Sequence, residues 1–178
     1  LHMFTTAKNL SPFDVNMALD AGWTSAVSYI NVEDGEVGGL VQDAIFSRGP
    51  NGVRRTGIFI GGRDTDQAIS MLKAAKKAMV PPFEVPVFAD PSGAFTTAAG
   101  MVAAVERELS RVHNTNLIGK NILALGGTGP VGQAAAVISA KAGANVRIIG
   151  RQKEKAERIA AMCNSEFGNN ETGITGGA

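Results

Sequence analysis

The chain has 178 residues, 44% of them apolar and 19% charged, with a net charge of +1. That is enough apolar material to core one large domain or two small ones, and too little positive charge for a nucleic-acid or anionic-lipid surface. The single cysteine, Cys163, excludes an internal disulfide; with no secretory start and no bilayer-length apolar run, the expected setting is a reducing cytoplasm, off the membrane.

Short apolar, β-branched runs alternate with amphipathic helical patterns, the sign of parallel sheets covered by helices. Strands are expected at 1–5, 24–30, 56–60, 84–89, 121–125 and 145–149. The first helix opens at SPFD, with Ser11 as cap, Pro12 in the first helical position and Asp14 able to return a bond to the cap. A weaker helical pattern at 37–47 leads into the turn-rich RGPNG. After the third strand, Gly61 and Gly62 lead into a helix with Ile69, Leu72, Ala75 and Met79 on one face, stopped by Pro81 and Pro82. The loop DPSGAF precedes an Ala-rich helix to which Thr96 or Thr97 offers a cap, and the polar stretch 113–120 reads as a joint.

The expected fold class is therefore α/β: an N-terminal α/β substrate domain over 1–112, the joint, and over 121–178 the first part of a Rossmann-type, doubly wound nucleotide domain. Two strands, 121–125 and 145–149, are legible there. The tail after Gly168 has no periodicity and is expected to lack order.

The chemistry concentrates after NILAL. Gly127-Thr128-Gly129-Pro130-Val131-Gly132 satisfies G-x-G-x-x-G between a strand and a helix, where such a loop sets a pyrophosphate on a helix N-terminus. Gly127 is expected to make the tight turn, Gly129 to admit the pyrophosphate and Gly132 to let the helix pack closely. NAD sites place an acid about 20 residues on, to hold the ribose hydroxyls, whereas an Arg there suits the 2′-phosphate of NADP. Gly150 occupies the acid's place, followed by Arg151 and Lys153. NADP is the expected cofactor, with NAD second.

Three N-terminal loops lie at strand ends, where α/β folds collect ligands: SPFD, GGRD and DPSGAFTT. Phe13 can stack on a flat ring, Asp14 can accept from its amide or amino groups, and Ser92, Thr96 and Thr97 can donate. Each also has a plain reading, as helix cap, staple or core. Arg48, Arg54 and Arg55 read as surface charge or as contacts for an acidic substrate tail. No residue cluster has metal-ligand spacing, no nucleophile elbow is present, and neither His2 nor His113 has an evident partner. Neither a metal nor a catalytic side chain is expected.

SPFDVNMALDAG, QDAIFSRGP, RTGIFIGG, VPPFEVPVFADPSGAFTTAAGMVA and GKNILALGGTGPVG, in that order, resemble the bacterial methylene-tetrahydromethanopterin dehydrogenases, with similarity from residue 1 to about 168. The resemblance implies hydride transfer from the methylene carbon of methylene-tetrahydromethanopterin to NADP or NAD, giving methenyl-tetrahydromethanopterin in formaldehyde oxidation. It also implies catalysis by ring alignment, a pterin pocket mapped onto Phe13, Asp14, Ser92, Thr96 and Thr97, a homo-oligomer, and a chain continuing beyond residue 178. A methylene-tetrahydrofolate dehydrogenase, a shikimate-dehydrogenase-like enzyme and a non-catalytic NADP-binding sensor are the alternatives.

Overall fold

The computed structural model describes residues 1–167 and 173–178, which form two compact units, Leu1–Ser92 and Gly93–Ala178. In the first unit the strands β1 (His2–Phe4), β2 (Val27–Tyr29), β3 (Ile58–Ile60) and β4 (Val87–Ala89) form a parallel sheet in the order β2-β1-β3-β4. All four are shorter than expected: β1 keeps the centre of its run, whereas β2, β3 and β4 keep only residues toward the C-terminal end of theirs. Met3, Phe4, Ile58 and Ile60 are buried in the two middle strands, as a sheet covered by helices requires.

Helices α1 (Pro12–Asp20), α2 (Val37–Phe46), the single turn α3 (Pro50–Val53) and α4 (Thr65–Ala78) fill the connections. Helices α2 and α4 pack together, burying Val37, Val41 and Ile45 from one and Met71 and Ala75 from the other. Two cap readings change, and one cap is new. Ser11 makes no side-chain capping bond at α1. Asp64 caps α4, its Oδ1 accepting from Asp66 N at 2.9 Å and Gln67 N at 3.0 Å. Neither Thr96 nor Thr97 caps α5 (Ala94–His113): the helix starts two residues earlier, after Gly93 in left-handed geometry (φ 68°), and Thr96 Oγ1 donates to Gly93 O at 3.3 Å. RGPNG is more ordered than a loop, with Arg48 Nε donating to Thr56 Oγ1 at 3.2 Å and Arg55 Nε to Asn51 O at 3.3 Å. His2 has a partner after all, Tyr29 Oη at 3.1 Å from Nδ1.

The second unit begins ahead of α5, whereas the sequence reading puts the joint after that helix. Helix α5 packs on α6 (Pro130–Lys141), and its Ala98 and Val102 share one core with Ala136, Val146, Ile148, Ile159 and Cys163. Behind them lies a parallel sheet of β5 (Asn121–Leu125), β6 (Asn145–Ile149) and β7 (Ile174–Gly177), with β6 in the middle.

Strand β7 overturns the expectation of an unordered tail for residues 174–177; residues 168–172 lie outside the described residues. ITGG has no apolar run, and its order comes from neighbours. Asn164 of α7 (Lys153–Phe167) clamps Ile174 on both sides, Nδ2 donating to its carbonyl at 2.8 Å and Oδ1 accepting from its N–H at 3.0 Å. Glycine at 176 lets the strand touch the backbone of Ala156 and Glu157, where a Cβ would collide.

Candidate functional site

Chemistry-bearing residues gather at two places, one in each unit. In the second, β5 ends at Leu125 and Gly126 turns the chain with φ +66°, so the left-handed residue is Gly126 and not Gly127. Gly127 serves close packing instead: a Cβ there would lie 2.6 Å from Ala124 O and 2.9 Å from Ile148 Cγ2. Its N–H is shared between Ala124 O and Ile149 O, at 3.0 and 3.1 Å, which ties the loop to both strands. Gly132 lets α6 meet the loop, since a Cβ there would lie 2.6 Å from Gly127 Cα.

Gly129 is open, with Gly126 O, 3.6 Å from a built Cβ, its nearest neighbour. An anion can therefore approach the backbone at the start of α6, where Pro130 takes the first helical position and the N–H groups of Val131 and Gly132 belong to the unbonded first turn. The residues fit a nucleotide pyrophosphate. At the end of β6, Gly150 is followed by Arg151, exposed and ahead of α7. Lys153 is the first residue of α7, and its Nζ lies 3.7 Å from Glu157 Oε1. Thr128 carries its side chain against Gly150 and gives its carbonyl to Gln133 Nε2 at 3.0 Å.

The first unit holds a cleft of about 520 Å³ lined by Asn9, Leu10, Phe13, Asp14, Arg63 and Ser92 among others. Phe13 is 67% exposed, too open for a staple or a core residue. Asp14 Oδ2 is buried and has no hydrogen-bond partner among the described residues, and it lies 3.0 Å from where a Gly61 Cβ would stand. Burial first, and the nearby Asp90 carboxylate second, push the Asp14 carboxyl above the ordinary aspartate range. Asp14 does not cap its helix by a side-chain bond.

Ser92 has left-handed backbone (φ 54°), a conformation that costs a non-glycine residue on the order of 1 kcal/mol. Its Oγ donates to Gly62 O at 3.0 Å, so toward a ligand it offers lone pairs and no longer a proton. Phe13, Asp14 and Ser92 thus share one cleft. Thr96 and Thr97 are exposed in the first turn of α5, in the other unit, and do not line it.

Sequence reasoning passed over Arg63 and Asp90 as individual residues. GGRD and DPSG marked both loops, yet only the folded chain sets Arg63 on the cleft and the Asp90 charge against Asp14. Among the described residues no helix is long and apolar enough to cross a membrane.

Residues 12–92 match the family model described as methylene-tetrahydromethanopterin dehydrogenase, N-terminal. Over 169 residues the chain is 49% identical to the NAD(P)-dependent methylenetetrahydromethanopterin dehydrogenase of Methylorubrum extorquens, covering 94% of this chain and 57% of the relative. It is 36% identical over 172 residues to the Bifunctional protein MdtA of the same organism, covering 97% and 58%. Among solved structures, ligand-free 5-ketofructose reductase of Gluconobacter sp. strain CHM43 superposes with a TM-score of 0.53 at 20% identity, over 99% of this chain and 62% of that one, a likeness of fold. The chain spans somewhat more than half the length of these curated relatives, and by sequence it belongs to the methylene-tetrahydromethanopterin dehydrogenase family.

Proposed function

We propose that this chain carries the pterin cleft and the pyrophosphate loop of an oxidoreductase that moves a hydride from methylene-tetrahydromethanopterin to NADP, leaving methenyl-tetrahydromethanopterin. The observation that carries this reading is 49% identity along 94% of the chain to a relative of that name. NADP, when bound, supplies the hydride acceptor. The N–H groups of Val131 and Gly132 hold its pyrophosphate beside the open backbone of Gly129, with Gly127, Thr128 and Pro130 shaping the turn. Arg151 pairs with its 2′-phosphate, a charge-assisted contact. Lys153 adds positive charge nearby but already faces Glu157.

In the cleft, the Asp14 carboxylate, one of whose oxygens has no partner in the protein among the described residues, accepts from the amide and amino edge of the pterin. Phe13 stacks on the ring, and Ser92 accepts through its free lone pairs. Loss of hydride leaves a positive charge shared by the two nitrogens flanking the methylene carbon, so no protein nucleophile is needed. The side chains orient the ring, keep water off the reacting face and support the developing charge. We place the enzyme in the cytoplasm as a homo-oligomer.

The test is NADPH formation with methylene-tetrahydromethanopterin beside methylene-tetrahydrofolate. Turnover on the first well above the second is expected. Equal or better turnover on the folate makes the enzyme its tetrahydrofolate counterpart, and NADP binding with no turnover on either makes it a sensor.

A further inference from the structure

Position 150 is closed to side chains, and the residue that closes it is Thr128. A Cβ built on Gly150 lies 2.6 Å from Thr128 Cγ2 and 3.5 Å from its Oγ1, the first far inside van der Waals contact. Thr128 is not free to withdraw. Its carbonyl accepts from Gln133 Nε2 at 3.0 Å, the N–H before it, of Gly127, is bonded to Ala124 O and Ile149 O, and the N–H after it, of Gly129, is bonded to Gly126 O at 3.1 Å.

Rotation about its Cα–Cβ bond offers one escape. Of the two other staggered rotamers, one sets the hydroxyl where the methyl stands and only the other sets hydrogen there, at the cost of leaving the rotamer the loop holds. Gly150 is held from its own side too, its N–H donating to Gly177 O at 3.1 Å. Neither backbone can yield without breaking a ladder or a loop bond.

The position matters because the end of this strand is where dinucleotide sites carry the acid that binds the ribose hydroxyls of NAD and repels the 2′-phosphate of NADP. We propose that Thr128 is a steric gate on the position that discriminates the dinucleotides: by filling the space beside Gly150 it bars an acidic side chain there, so that NAD preference cannot be installed at position 150 unless Thr128 is cut back, and the ribose end is left to Arg151. This rests on the nucleotide reading of the glycine loop.

Thr128→Ala, which keeps only the Cβ, 3.7 Å from the built atom at ordinary contact distance, provides the means to test it. The wild-type chain, Thr128→Ala, Gly150→Asp and the double variant are compared by thermal midpoint without nucleotide and by titration with NADP and NAD separately. Gly150→Asp alone is expected to lower the midpoint and weaken both nucleotides. The double variant recovers most of the midpoint and shifts the NAD-to-NADP preference toward NAD by at least about tenfold, one decade in affinity ratio. Thr128→Ala alone stays on the NADP side, since position 150 still lacks an acid.

The proposal is overturned if Gly150→Asp alone is as stable as wild type and switches preference as far as the double variant does. It is equally overturned if the two substitutions act additively on the midpoint, because the steric coupling would then be absent. Wild-type protein that is folded yet takes up neither nucleotide would instead sink the nucleotide reading itself.

Discussion

The glycine loop of the second unit and the cleft of the first represent two ways of building a binding site. In the loop, the proposed contacts are backbone groups, and glycines make them possible by omitting atoms: Gly127 and Gly132 have no room for a Cβ, while Gly129 has room that is left open. In the cleft, the proposed contacts are side chains held against their own preference. Asp14 keeps a buried oxygen unpartnered near a second carboxylate, and Ser92 sits in left-handed geometry.

The contrast breaks most visibly at Gly132. Replacing it with Val sets side-chain carbon against the backbone of Gly127, where nothing flexible can move aside. A loss on the order of 3 kcal/mol is expected, read as a lower denaturant midpoint together with lost nucleotide binding. Gly129→Ala is its counterpart, meeting nothing closer than 3.6 Å; stability should change by less than about 0.5 kcal/mol while nucleotide affinity falls. If Gly132→Val were as mild as Gly129→Ala, the packing role assigned to the loop would be wrong.

Arg151→Ala should weaken NADP by about 1.5–3 kcal/mol, the range for a hydrogen bond to a charged group, and NAD far less. Equal losses in the two titrations would remove the 2′-phosphate from its assigned partner. Asn164→Ala should cost roughly 1–2 kcal/mol by unpairing both backbone groups of Ile174, and amide exchange in β7 should rise before that in β6.

Asp14→Asn acts in the opposite sense. The folded protein holds this carboxyl above its ordinary range, so the stability it contributes is complete at acid pH and is lost as pH rises through the raised value. The amide should therefore raise the thermal midpoint modestly at neutral pH, and the gain should fade as pH falls into the ordinary carboxylate range. A variant destabilised at neutral pH would mean that Asp14 has a structural partner and is not held in reserve for a ligand.

The two regions also differ in how far the sequence discloses them. The loop was legible because its logic is local: a strand, three spaced glycines and a helix lie within 21 residues from Asn121 to Lys141. Spacing gives the tight turn to Gly127, and the structure adds that the positive φ of that turn is at Gly126. Phe13 and Asp14 were legible as candidates, but not their condition, since the burial that chiefly raises the Asp14 carboxyl, and the Asp90 charge that adds to it from a different strand end, exist only in the folded chain. Strand β7 was missed because ITGG draws its order from Asn164 and from a glycine contact with α7, neither of which leaves a periodic pattern. The start of α5 was misplaced because a left-handed glycine opens the helix in place of a threonine hydroxyl.

The most direct measurement is a pair of dissociation constants, for the pterin and for NADP, on Asp14→Asn and Arg151→Ala separately. The expected result is a crossed pattern: Asp14→Asn weakens the pterin by at least about tenfold and leaves NADP unchanged, whereas Arg151→Ala does the reverse. If Asp14→Asn weakens NADP as much as it weakens the pterin, the division of the two ligands between the cleft and the loop is contradicted.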